Sequence, residues 1–124
     1  MRPDHPVAKL ADLGQSVWLD FLDRDLLASG ELDRLIAEEG ITGATSNPTI
    51  FQKALDGTAA YDEFMMKAPA DRSPESVFEG IEVREVATAC DSFRALYDRT
   101  DGGDGYVSIE VSPAVARDTA ASIR

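Results

Sequence analysis

Gly43-Ala44-Thr45-Ser46-Asn47-Pro48-Thr49 follows one acidic amphipathic stretch and opens another helix. Ile41 to Ser46 reads as a short strand of small residues, Asn47 as its exit, and Pro48 as the first position of a helix. Proline suits that position because its missing N–H would be unpaired there anyway and its fixed φ fits the turn. A residue before proline is pushed out of the helical region, so Asn47 is expected to be extended. The result is a rigid corner carrying one amide and several hydroxyls at a strand end. A well-capped strand-to-helix turn has the same local signature. Its neighbours decide what the corner is for.

Upstream, Pro6 to Asp12 is a short helix with Val7, Leu10 and Leu13 on one side, stopped by Gly14. Ser16-Val17-Trp18-Leu19-Asp20-Phe21-Leu22 is a compact apolar run interrupted by one acid, the pattern of a strand buried on both faces. Alternation places Trp18, Asp20 and Leu22 on one face. Asp20 is then either buried with polar partners or at the strand end, facing solvent and capping the next helix. Asp23 to Glu39 reads as helix in two parts, bent at Ser29-Gly30 and ended by Gly40.

Downstream of Pro48, a short helix carries Ile50, Phe51 and Leu55 and ends at Asp56-Gly57. Thr58 to Lys67 places Tyr61, Phe64 and Met65 at helical spacing for core packing. Ser73 and Pro74 start the longest helical pattern, Glu75 to Arg99. Its expected apolar stripe is Val83, Val86, Ala87, Cys90, Phe93 and Tyr97, with Glu82 and Glu85 outside it. Cys90 on that stripe reads as a buried small hydrophobe. Tyr106 to Ser112 is the clearest strand, with Val107, Ile109 and Val111 on one face and Ser108, Glu110 and Ser112 on the other. Pro113 opens a last helix.

The 124 residues fit one domain, and 44% hydrophobic with 28% charged residues is ordinary globular composition. The net charge of −11 argues against nucleic acid and anionic membrane as partners. No apolar run approaches the roughly 18 residues of a membrane span. Met1 to His5 has no signal-peptide core, and one cysteine excludes an intramolecular disulfide, so cytoplasmic residence is the expectation. His5 and Cys90 match no metal-ligand spacing, and neither metal nor cofactor is expected.

Strands separated by helices imply an α/β class with a parallel sheet. Alternation in the three strands yields one polar set: Asp20; Thr45 with Asn47; Ser108 with Glu110. Each lies near a strand's carboxyl end, where catalytic residues collect in a barrel of alternating strands and helices. Two acids, an amide and hydroxyls aimed at one cavity suit a polyhydroxylated substrate and proton transfer.

Gly14 to Asp20, Gly43 to Thr49 and Val107 to Ser112 together resemble the first three strands of a transaldolase. The branch in which Trp-Leu-Asp opens the barrel, actinobacterial and cyanobacterial, looks closest. The resemblance runs from about Pro6 onward. It implies the N-terminal portion, about three β/α units, of a TIM-type (β/α)8 barrel of the class I aldolase kind, with residues 1–124 forming part of a single domain. The implied reaction moves a dihydroxyacetone unit from sedoheptulose 7-phosphate or fructose 6-phosphate to an aldose phosphate, in the non-oxidative pentose phosphate pathway. It proceeds through a lysine Schiff base without metal. By this resemblance Asp20 is the acid/base at the hydroxyl beside the scissile bond, and Glu110 assists carbinolamine formation and dehydration through a water. Asn47 holds the hydroxyls of the three-carbon unit, and Thr45 supports the site.

In the family the Schiff-base lysine lies on the strand after that of Glu110. Lys9, Lys53 and Lys67 all fall in expected helices instead. A complete barrel needs about 250 residues and eight strands. The 124 residues are therefore expected to be inactive alone, with sugar phosphates as substrates of the assembled barrel. Two other readings fit the same residues: a non-catalytic partial-barrel module pairing with a complementary chain or with itself, and another Schiff-base aldolase.

Overall fold

The computed structural model describes residues 5–49, 61–67, 69 and 71–123. Its elements are α1 (Pro6–Asp12), β1 (Trp18–Leu19), α2 (Arg24–Ala28), α3 (Glu31–Arg34) running into a π-helical turn (Leu35–Glu39), and β2 (Gly43–Thr45). They continue as α4 (Asp62–Lys67), α5 (Pro74–Arg99), β3 (Tyr106–Ser108), a 3-10 turn (Pro113–Val115) and α6 (Thr119–Ser122). The expected helix at Ile50, Phe51 and Leu55 lies outside the described residues.

The three strands form one parallel sheet in the order β1-β2-β3, as helical crossovers require. Trp18 is in register with Gly43, and Gly43, Ala44 and Thr45 with Tyr106, Val107 and Ser108. Small residues in β2 are a packing requirement. A β-carbon at Gly43 would fall inside the Trp18 indole, and Ala44 is fully buried. The main core joins Leu22, Leu26 and Leu32 to Ala44 and to Ala89, Phe93 and Leu96 of α5. A second cluster joins Tyr61 and Ile81 with Phe64, Val77 and Phe78. Met65, expected in the core, is exposed, as are Leu10 and Leu13 of the first helical segment.

The strands are shorter than their apolar runs. Beyond Leu19 the chain bends at Asp20, alternation ends, and Leu22 turns into the core while Trp18 stays 40% exposed. Val107 packs on the core, but Ile109 and Val111 lie beyond the ladder and are exposed. The terminal helix is likewise split into the 3-10 turn and α6.

α5 starts as its sequence predicts, with the Ser73 side chain accepting the Ser76 N–H and Pro74 in the first turn. Its buried face differs from the expected stripe. Ile81, Glu82, Glu85, Ala89, Phe93 and Leu96 are buried, whereas Val83, Ala87 and Tyr97 are exposed. The face is turned by about one residue position, roughly 100° at 3.6 residues per turn. Two paired carboxylates occupy positions that an apolar pattern assigns to solvent. Cys90 is half-buried, and burial pushes its thiol pKa up, which disfavours the thiolate.

Candidate active site

The carboxyl ends of the three strands bring Asp20, Thr45, Asn47 and Glu110 together. Thr45 is the meeting point. Its Oγ1 lies 3.3 Å from Asp20 Oδ1 and 3.3 Å from Glu110 Oε1, with the hydroxyl donating. A hydroxyl has one proton, so it serves the two carboxylates in turn or through a bifurcated bond. Two carboxylates lying just beyond β1 and β3 thus share one hydroxyl at the end of β2. Asp20 and Glu110 are exposed and Thr45 and Asn47 half-buried, so the cluster opens to solvent. Of the two positions open to Asp20, the strand-end one is realised, but the cap of α2 is Asp23, whose carboxylate accepts the Leu26 N–H at 2.8 Å.

Asn47 departs from expectation. Its φ is +25°, in the left-handed region rather than extended. Asparagine tolerates this region better than most residues, yet such a conformation costs about 1–3 kcal/mol and persists only where surroundings enforce it. Here the Asn47 Nδ2 donates to the Asp20 carbonyl at 3.4 Å, joining the corner to the end of β1.

Behind this cluster lie residues that apolar periodicity misses. Ser46 is buried between Thr45 and Asn47. Its Oγ donates to Glu82 Oε1 at 2.7 Å and accepts the Glu110 N–H at 3.0 Å, while its own N–H donates to the Ser108 carbonyl at 3.1 Å. Burial raises the Glu82 pKa, the Ser46 hydrogen bond lowers it, and the nearby Glu110 charge raises it further; the net direction is upward. One turn along, Glu85 is 1% exposed and 3.4 Å from Arg24 Nη2. That contact is an ion pair without hydrogen-bond alignment, since neither Glu85 oxygen has a hydrogen-bond partner among the described residues. Burial raises the Glu85 pKa against the lowering pull of Arg24. Tyr61 completes the group: its hydroxyl accepts the Arg24 N–H at 2.8 Å, and burial pushes its pKa up to about 12. The sequence signal available for these residues was two acids three apart on a helix.

Among the described residues, no three His, Cys, Asp or Glu side chains are disposed to hold a metal ion. No described helix is long and apolar enough to cross a membrane. Lys9 lies on α1 and Lys67 on α4, and Lys53 is outside the described residues. Lys67, Arg72 and Arg84, scattered in sequence, line a cavity of about 370 Å³ with Phe64, Pro69 and Val77. It shares no residue with the strand-end cluster.

The profile of the family described as Transaldolase/Fructose-6-phosphate aldolase matches residues 17–124. Among curated proteins, the chain is 43% identical to a transaldolase of Trichodesmium erythraeum over 116 residues, covering 93% of this chain and 30% of that protein. It is 44% identical to a transaldolase of Thiobacillus denitrificans over 112 residues, covering 90% and 31%. A transaldolase of Acidothermus cellulolyticus is 42% identical over 119 residues, covering 95% and 32%. The chain thus spans about 30% of the length of the relatives it matches. Since the profile takes in all three strands and every residue of the strand-end cluster, the chain belongs to the transaldolase family.

Proposed function

We propose that this chain supplies the proton-transfer part of a transaldolase barrel. The barrel moves a dihydroxyacetone unit from sedoheptulose 7-phosphate or fructose 6-phosphate to an aldose phosphate, in the cytoplasmic non-oxidative pentose phosphate pathway. The observation that carries this reading is the convergence of Asp20, Thr45 and Glu110 from three successive strand ends on one hydroxyl. Residues 1–124 are the N-terminal part of the barrel domain, and the lysine that forms the Schiff base belongs to a later strand. The chain by itself is inactive in this reading.

In the assembled site the iminium withdraws electrons from the scissile carbon–carbon bond. Asp20 takes the proton of the adjacent hydroxyl, the bond pair moves toward the iminium, and an aldose phosphate leaves. Addition to the acceptor aldehyde reverses these steps, with Asp20 returning a proton. Glu110, through a water, moves protons during carbinolamine formation and dehydration. Asn47 holds the hydroxyls of the bound three-carbon unit. Thr45 keeps the two carboxylates in register. The exposed Ile109 and Val111 beyond β3 suit a chain that pairs with further barrel segments, from a complementary chain or a second copy. A folded monomer in solution would count against that pairing.

Borohydride trapping with fructose 6-phosphate followed by intact mass tests the assignment. The 124-residue chain should take up no three-carbon adduct alone. Supplied with the rest of a barrel from the Trichodesmium erythraeum transaldolase, the adduct should appear on the added segment. A stable adduct on Lys9, Lys53 or Lys67 would overturn the placement. In the reconstituted enzyme Asp20→Ala should lower kcat roughly a hundred- to ten-thousand-fold with little change in KM. Equal loss in both would make Asp20 structural.

A further inference from the structure

Glu82 takes no part in the proposed reaction, yet it is a carboxylate only 4% exposed to solvent. Burying such a group is costly without hydrogen bonds, and it has one that leads to the site. The regular ladder of β3 ends at Ser108, two residues before Glu110. Beyond it, the Glu110 N–H is received by a side chain, Ser46 Oγ, at 3.0 Å. Ser46 can accept there only if its own O–H points elsewhere, and it donates that hydrogen bond to Glu82 Oε1 at 2.7 Å. Three consecutive side chains divide the contacts: Thr45 reaches the Asp20 and Glu110 carboxylates, Asn47 reaches the Asp20 carbonyl, and Ser46 between them bridges Glu82 of α5 and the Glu110 N–H.

We propose that Glu82 is a positioning residue for Glu110, acting through the Ser46 hydroxyl, whose rotation it fixes so that the lone pairs face the Glu110 N–H. The inference rests on the reading of Glu110 as a catalytic carboxylate. It adds a residue from a helix that contributes no other group to the site. The chain Glu82–Ser46–Glu110 sets where the backbone of Glu110 leaves the sheet, and hence where its carboxylate meets Thr45.

The test is amide hydrogen exchange by NMR on the 124-residue chain. Glu82→Leu keeps a side chain of similar size and removes the acceptor. Exchange at the Glu110 amide should rise roughly five- to tenfold, the loss of one hydrogen bond's protection, while the Phe93 and Leu96 amides keep theirs. Glu82→Gln, whose carbonyl still accepts from Ser46, should restore protection at Glu110. Adding Glu82→Leu to Ser46→Ala should change nothing further. Unchanged Glu110 exchange in Glu82→Leu, or equal loss at Phe93, would overturn the proposal. If Glu82→Leu fails to fold, Glu82→Met, which likewise lacks a carboxylate acceptor, takes its place with the same two outcomes, and Glu110 protection that survives Ser46→Ala also refutes the relay. None of these readings needs turnover, so a failed transfer assay and a failed relay are told apart.

Discussion

Glu82 and Glu85 stand one turn apart on α5, both almost sealed from solvent, and they are held in opposite ways. Glu82 accepts a 2.7 Å hydrogen bond from a serine that is itself tied to β3. Glu85 has a cation 3.4 Å away and no hydrogen bond among the described residues. The first carboxylate orders a site. The second balances its charge while its desolvation is left uncompensated by hydrogen bonds. Proximity to charge and satisfaction by hydrogen bonds are separate matters, and buried acids need the latter to add stability.

The largest effect should come from Arg24→Ala, which leaves the Glu85 charge buried without its ion-pair partner, with only the more distant pull of Arg84. A loss of about 3 kcal/mol is expected, at the low end for a broken buried pair because Arg24 is partly exposed. Urea denaturation measures it, and Arg24→Ala combined with Glu85→Leu should recover most of the loss. If the double variant is no better than the single one, the pair is not what burial isolates.

Ser46→Ala comes next, at roughly 1–3 kcal/mol, because it strips a partner from both Glu82 and the Glu110 N–H. Thermal denaturation against Ser46→Thr, which retains the hydroxyl, should separate the bond from the change of size.

The pH response sharpens the contrast. Burial raises the folded-state pKa of Glu85 above its ordinary 4.5. Folding therefore favours the protonated form. That contribution is fully present below the unfolded value and is lost as pH rises through the raised folded value. Glu85→Gln cannot ionise, so its stability relative to the parent should improve as pH rises above 4.5 and through the raised folded-state value. A parent-minus-variant difference that is flat with pH would contradict the assignment.

The smallest effect is expected at Arg34, whose bridges to Glu31 and Glu39 are shorter than the Arg24 contact, at 2.7 and 2.9 Å. All three side chains are 36–44% exposed, against 25% for Arg24 and 2% for Glu85, so water and salt screen them more. Arg34→Ala should shift the urea midpoint much less than Arg24→Ala despite removing more contacts.

The α/β element order and the parallel sheet were legible from local signals: apolar runs bounded by glycine and proline, and capping residues such as Ser73 before Pro74. Alternation placed Ser108 in the polar set beside Asp20, Thr45, Asn47 and Glu110. The other four meet at the strand ends, and Ser108 joins them only through its backbone carbonyl, which accepts the Ser46 N–H. Where each strand stops, which face α5 buries and the backbone of Asn47 depend on contacts between distant elements. At the strand ends, side chains replace ladder partners, as Ser46 does for Glu110. On α5, Glu82 and Glu85 look like surface acids until Ser46 and Arg24 arrive from distant elements to receive them. At Asn47, the pull from the Asp20 carbonyl accompanies a positive φ against the local preference before proline. In each case the partner is remote in sequence, and no local pattern encodes a hydrogen bond that only the fold brings within reach.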